Sequence, residues 1–234
     1  MKSNLVRVDF NPKIYHAFYF IRNGLYIGIT KYADNLKGKL MDFGCGSKPY
    51  KTAFKNVDEY VGVDYNGEGH PHTGESIDIF YDGKHLPFPD NTFDSVFSSE
   101  VFEHVFNLEE MLTEINRVMK PGGKILITCP FVWNLHEIPV DYARYTPYAL
   151  QHLLEGGGFK INEIHKSGNY ISTMAQMRIL YVCTHLLPKL GLNRIKYFEA
   201  LVVTIMNIWG LIKIKVLPFA DDLYQNNVIF AQKI

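Results

Sequence analysis

Short apolar runs alternate with longer helix-patterned segments along most of this chain, and that alternation constrains the fold more than any other feature. Residues 39–43 form one such run, ended by Gly44-Cys45-Gly46. Residues 60–64 form a second that ends in an acid, 76–80 a third, 93–98 a fourth and 124–128 a fifth, the last announced by Pro121-Gly122-Gly123. Apolar runs of this length bounded by turn residues read as strands. Between the fourth and fifth, Leu108, Met111, Leu112, Ile115, Val118 and Met119 recur at helical spacing. Asn107 is placed to cap that helix and Pro121 follows its end. Thr146-Pro147 opens another helix, with Thr146 as N-cap and Pro147 at the first helical position, and it stops at Gly156-Gly157-Gly158.

Residues 159–166 and 227–233 read as sixth and seventh strands, with helices over about 170–187 and 197–215. Residues 12–35 read as one or two helices, with Gly24 as a break. Strands alternating with helices imply an α/β fold, a doubly wound and mostly parallel seven-stranded sheet with helices on both faces. We expect a single domain: an N-terminal helical segment over 1–38, the core over 39–170, a helical insertion over 171–222 and the final strand over 223–234.

The chain has 234 residues, with equal numbers of acidic and basic side chains. A net charge of zero gives no overall field for polyanions, so nucleic acid is not the expected partner. Cys45, Cys129 and Cys183 form no CxxC pair, which points away from a disulfide framework or a cysteine zinc site and toward a reducing, cytoplasmic setting. Residues 1–12 lack the apolar run of a secretory leader. Residues 198–219 are strongly apolar, but their uncharged stretch, 200–212, is short of the roughly 20 residues a membrane span needs. Packing on the protein is the expected arrangement there, with peripheral membrane contact as the alternative. The oligomeric state is not legible.

In such sheets ligands sit beyond the carboxyl ends of the strands. Gly44-Cys45-Gly46 gives a loop that brings backbone close to a ligand, and Asp64, about 20 residues on, stands where an acid accepts hydrogen bonds from a ribose diol. A nicotinamide-binding domain shares both features, but its third glycine would fall at Pro49.

Two further segments, 82–88 and 98–105, stand in order and register with 40–46 and 119–124. Together they resemble class I S-adenosylmethionine-dependent methyltransferases, in particular the group that includes the ubiquinone and menaquinone methyltransferases. The resemblance implies roles. Asp42 and the Gly44-Cys45-Gly46 backbone would hold the methionine part, and Asp64 the ribose hydroxyls. Asp82 would accept from the adenine amino group, with the Gly83 N–H facing the ring. The Ser99 carbonyl would face the methionine ammonium.

The loop after the fifth strand, 129–146, is dense in His136, Glu137, Asp141, Tyr142, Arg144 and Tyr145 among aromatic residues. Such a cluster suits a polar substrate held against rings. His136 is the candidate general base, and Arg144 and Tyr145 are candidate substrate-binding residues; the competing reading of Arg144 is a pair with Asp141 that holds the loop. This loop is similar to one in methyltransferases associated with bacterial surface polysaccharides, which favours a sugar or lipid-linked acceptor; the expected function is methyl transfer to a small-molecule, sugar (glycan) or lipid-linked acceptor, at oxygen. Glu100, Glu103 and His104 would share a helix face, and with His136 they make a candidate divalent-metal set of two oxygens and two nitrogens. Some methyltransferases with a similar arrangement, small-RNA 2′-O-methyltransferases among them, use a metal. A non-catalytic cofactor-binding partner protein and a nicotinamide-dependent oxidoreductase are the alternative functions.

Overall fold

The computed structural model describes residues 12–67 and 74–234. Residues 1–11, where the leader was sought, lie outside the described residues. Seven strands form one sheet: β1 (Gly38–Phe43), β2 (Val57–Tyr65), β3 (Ile79–Tyr81), β4 (Phe93–Ser99), β5 (Met119–Pro130), β6 (Phe159–Ser167) and β7 (Asn226–Lys233). Their order is β3-β2-β1-β4-β5-β7-β6. β1 is parallel to β2 and β4, β2 to β3, and β4 to β5. β7 runs against β6, because Gln225 N–H donates to Ser167 O (3.0 Å) while Ile234 N–H donates to Gly158 O (3.1 Å). The order reverses between β1 and β4, and this switch point opens a crevice at the carboxyl ends of the strands.

The chain divides into two compact units. Gly28–His165 with Asn227–Ile234 hold the sheet core. There α2 (Leu108–Val118) buries Leu108, Met111, Leu112, Ile115 and Val118, the stripe its sequence spacing predicts. Each such side chain contributes roughly 1.5–3 kcal/mol by leaving water. α3 (Pro147–Gly156) starts at Thr146, whose hydroxyl accepts from Ala149 N–H, with Pro147 in the first turn as expected.

Lys166–Asn226, with the described residues up to Ile27, form the second unit. It contains α4 (Tyr170–Tyr181), continued by a π-helical turn and the one-turn α5 (Leu187–Lys189), and α6 (Phe198–Val216). Phe20, Ile179 and Val203 form its small buried core. Buried amides lace it together: Gln176 Nε2 donates to Ala17 O (2.7 Å) and Asn207 Nδ2 to Ile14 O (2.6 Å).

Five local expectations are corrected. Gly24 does not break a helix: α1 (Tyr19–Ala33) runs through it. A Cβ at Gly24 would lie 2.2 Å from Ser167 Oγ, so the glycine serves close packing. The third strand is Ile79–Tyr81, not 76–80, because the Asp78 carboxylate turns to bind Gly62 N–H (2.6 Å) and Lys48 Nζ (2.6 Å). Pro121-Gly122-Gly123 does not precede β5 but lies within it as a bulge: Phe93 pairs with Met119 and Ser95 with Lys124. Asn107 makes no side-chain cap; its amide donates to Gly83 O (3.2 Å) and Glu110 Oε2 (3.0 Å). Glu100 shares no helix face with Glu103 and His104. Glu100 has φ +58°, and only Phe102–His104 forms a single 3-10 turn.

Candidate active site

At the end of β1 the chain folds back on β2. Gly44 and Cys45 both donate backbone N–H to Val63 O, at 2.8 and 3.2 Å. Gly44 takes φ +73°, and a Cβ there would meet Val101 Cγ2 at 2.2 Å, so only glycine serves. Gly46 N–H donates to Asp64 Oδ2 and Tyr65 N–H to Asp64 Oδ1, both at 2.8 Å. Asp64 therefore shapes the glycine loop. An ionised carboxylate has about four acceptor sites, so these bonds leave capacity for a diol.

Asp42 is buried and accepts from the Tyr60 hydroxyl. Burial outweighs that bond and pushes its carboxyl up to about 7. Cys45 is buried and its thiol is pushed up by burial, so it is a packing residue as well as part of the loop backbone. Asp82 Oδ1 accepts from His85 N–H (2.7 Å) and Lys84 N–H (2.8 Å), and these two bonds hold its carboxyl below the usual range. Gly83 follows at φ +84°. Ser99 closes β4 with its hydroxyl against Thr128 Oγ1 (2.8 Å).

The acceptor loop meets the turn after β4. His104 Nδ1 lies 2.8 Å from Val140 O; a carbonyl only accepts, so Nδ1 carries the hydrogen and Nε2 presents a lone pair. His104 Nε2 faces His136 Nε2 at 3.1 Å. Glu103, fully buried, aims Oε1 at both, 3.8 Å from the first and 3.9 Å from the second. That oxygen has no hydrogen-bond partner among the described residues. Burial, then the nearby Glu100 charge, raise the Glu103 pKa well above the carboxylate range. Burial and His104 lower that of His136, which keeps its imidazole neutral and basic near neutrality.

Glu103, His104 and His136 form the one metal-compatible group among the described residues. Glu100 is not in it: its Oε1 accepts from Thr128 Oγ1 (2.8 Å). The Arg144 guanidinium turns inward, pairing with Asp141 through two bonds (2.6 and 2.8 Å) and donating to Trp133, Asn134 and Ala143 carbonyls. Asp141, held far below its ordinary pKa by Arg144, also accepts from His136 N–H (2.9 Å). Tyr145 is half-buried against the core cluster.

Residues 41–127 match a family model described as a methyltransferase domain. The ubiquinone/menaquinone biosynthesis C-methyltransferase UbiE of Cupriavidus pinatubonensis is 31% identical over 120 residues, covering 50% of this chain and 47% of the relative. The chain carries a class I methyltransferase domain. A fatty-acid O-methyltransferase of Mycolicibacterium smegmatis is 30% identical over 113 residues, 44% of this chain and 41% of the relative. The chain thus covers less than half the length of either relative. The crystal structure of the [4+2]-cyclase SpnF superposes with a TM-score of 0.55 at 19% identity, covering 91% of this chain and 81% of that one, a likeness of fold.

S-adenosylmethionine is the ligand that the methyltransferase match implies, and the residues at the strand ends fit it. The strand-end carboxylates Asp42, Asp64 and Asp82 suit a cation that carries a diol, and the glycine loop is pinned open by Asp64. Sequence reasoning singled out Asp42 and Asp64 but missed Tyr60, which holds Asp42, and Asp78, which ties Lys48 to β2. Their polar side chains inside or beside apolar strands were the available signal. It also placed His104 with His136 as metal candidates but gave no sign that the two rings would touch.

Proposed function

We propose that this protein transfers the methyl group of S-adenosylmethionine to an oxygen of a small-molecule, sugar or lipid-linked acceptor. The observation that carries the reading is the His104–His136–Glu103 cluster standing beside the cofactor-type strand ends of β1 to β4. The sulfonium supplies an activated methyl group. The acceptor oxygen forms the new O–C bond as the C–S bond breaks, and the bond pair leaves on sulfur as S-adenosylhomocysteine. An alcohol must also lose its proton, and His136, neutral because of burial, takes it. Asp64 holds the ribose hydroxyls, Asp42 and the Gly44–Gly46 backbone the methionine part, and Asp82, Gly83 and Ser99 the adenine and ammonium sides. Arg144 orders the loop through Asp141 and so positions His136; Tyr145 walls the acceptor side. The names of the two relatives cover transfer to carbon and to oxygen, and the base is what favours oxygen here.

One observation favours a second reading of the same residues. The imidazole Nδ1 of His136 lies 3.3 Å from Asn134 O and Asp141 Oδ2, which accept, and 3.4 Å from Arg144 NH2, which donates; in the tautomer with its hydrogen on Nδ1, the Nε2 lone pair faces His104. Two lone pairs and an orphaned carboxylate oxygen then share one spot. Their separations put its centre about 2.1 Å from all three atoms, the length of Zn–N and Zn–O bonds. On this reading Glu103, His104 and His136 hold a divalent cation.

One experiment tests both. An acceptor screen of sugar nucleotides, quinone precursors and lipids, read by S-adenosylhomocysteine formation, is run beside metal analysis of the protein loaded with Zn²⁺, Mn²⁺ or Mg²⁺. As a base, His136→Ala loses about 10²–10⁴-fold in turnover, keeps cofactor affinity, and no stoichiometric metal is found. As a ligand, His136→Ala and Glu103→Gln both lose bound metal. Wild-type turnover in His136→Ala sinks both roles and points to an amine or an already ionised acceptor.

A further inference from the structure

α6 is turned the wrong way round for a helix that ends at water. Leu201, Ile205, Ile208, Trp209, Ile212 and Val216 are 45–75% exposed. They fall at i, i+4, i+7, i+8, i+11 and i+15, a single stripe about 22 Å long at 1.5 Å per residue. The inward side instead carries Val203, Asn207 and Gly210. An exposed apolar stripe of this size is uncommon on a soluble monomer and marks a surface that is covered by something.

Beside it a groove of about 340 Å³ runs between α4 and α6. Met174, Met206, Trp209 and Leu217 line it, with Arg178 and Lys213 also on its wall. An apolar slot beside two cations matches an acyl chain below an anionic headgroup. The segment that carries it is basic: from 166 to 226 Lys166, Arg178, Lys189, Arg194, Lys196, Lys213 and Lys215 stand against Glu199, Asp221 and Asp222, and Asp221 is paired with Lys166. A whole-chain charge of zero conceals this patch.

We propose that the α4–α6 face binds the surface of an anionic phospholipid membrane, with the α6 stripe in the interfacial layer and the basic residues on the headgroups. The binding is peripheral, since no described helix is long and apolar enough to cross a bilayer. A second copy of the chain is the poorer occupant. A two-fold contact sets the same patch against itself and brings like charges together. The inference stands apart from the methyl-transfer reading and does not need it.

The full chain is floated with vesicles of phosphatidylcholine alone or with added phosphatidylglycerol. The protein is expected to float with the anionic vesicles, far less with the neutral ones, and less again at high salt. Trp209→Gln with Ile212→Gln, and separately Arg178→Glu with Lys213→Glu, are expected to weaken binding at least about tenfold. Circular dichroism and unchanged S-adenosylhomocysteine binding verify the fold of each, and Ile205→Gln on the same stripe replaces the apolar pair should that pair misfold. In a Trp133→Phe background, Trp209 emission is expected to shift to the blue on anionic vesicles. Wild-type protein that stays with the soluble fraction, or variants that float as well as wild type, would overturn the proposal. So would a dimer in light scattering that the stripe variants convert to monomer, which would assign the face to a second copy.

Discussion

Asp42 shows how a single side chain is tuned by place. It sits next to the end of β1, buried, with the Tyr60 hydroxyl donating to it, and burial pushes its carboxyl from 3.8 up to about 7. Below pH 3.8 the group is protonated in both folded and unfolded chains and has no effect on stability. As pH rises from 3.8 toward 7 the unfolded chain ionises first, so stability falls; above 7 the loss is complete, up to about 4 kcal/mol. Asp42→Asn keeps an acceptor for Tyr60 and removes the charge. The variant is therefore expected to melt higher than wild type at pH 8 and at nearly the same temperature at pH 4. Equal melting at both would show that Asp42 ionises freely in the folded protein. Carboxylates and glycines at strand ends are legible in a sequence, which is how Asp42, Asp64 and Asp82 become candidates; His136 becomes one from the loop that follows β5. Which partner each one takes is not. Tyr60 and Asp42 are 18 positions apart, and His104 and His136 are 32 apart. Arg144 had two readings in sequence; its donors are turned into its own loop, onto Asp141 and three carbonyls.

Elements with one strong periodic face were legible to within a residue or two. α2 and α3 are of this kind because each buries one stripe, whereas β1 and β4 are legible as short runs buried on both faces. The misreadings arose where a distant contact overrode local chemistry. Gly24 looks like a helix break until Ser167 is seen pressing on it, and the glycines of 121–123 look like a turn until β4 is seen holding both flanks in register. Arg117, near the end of α2, is a further contact of this type. It bonds Glu114 through Nε (2.8 Å) and NH2 (2.9 Å), Asp90 (2.8 Å), and the carbonyls of Phe88 (2.9 Å) and Leu86 (3.0 Å). Glu114 in turn accepts from Leu86 N–H (3.0 Å). Helix α2 thereby fastens the segment that follows Asp82. Arg117→Ala strips two carbonyls and leaves Glu114 half-paired, a loss of about 1.5–3 kcal/mol for hydrogen bonds to a charged group. At roughly 2–4 °C per kcal/mol for a chain of this size, thermal melts should fall by about 3–12 °C. A melt unchanged within error would mean that the segment holds itself.

On the scale of the whole molecule, the sequence reads as one domain with a helical insertion over 171–222, and by its contacts the chain clusters into two compact units, with Lys166–Asn226 in the second. The grouping of 166–226 with the N-terminal helix was not legible, since it rests on buried amides such as Gln176 and Asn207 reaching the backbone of residues 14–21. The two units also carry different chemistry. The sheet unit holds the carboxylates and histidines; the helical unit holds the apolar stripe and the cations. Two ligands should therefore leave separate footprints, and amide hydrogen exchange reads them residue by residue. A ligand at a hundred times its dissociation constant stabilises what it binds by about 2.7 kcal/mol, enough to slow exchange roughly a hundredfold where opening needs release of the ligand. S-adenosylhomocysteine is expected to slow exchange at 44–46, 64–66 and 82–85. In those segments backbone amides surround Asp64 and Asp82. Anionic vesicles are expected to slow it at 198–217 and leave the first three segments as they were. Protection of 198–217 by S-adenosylhomocysteine alone, with 44–46 and 64–66 unchanged, would place the cofactor in the helical unit and overturn the strand-end assignment. Protection of all four segments by both ligands would show that the two units answer to one another, and the lipid surface would then have to be read as part of the same machinery as the strand ends.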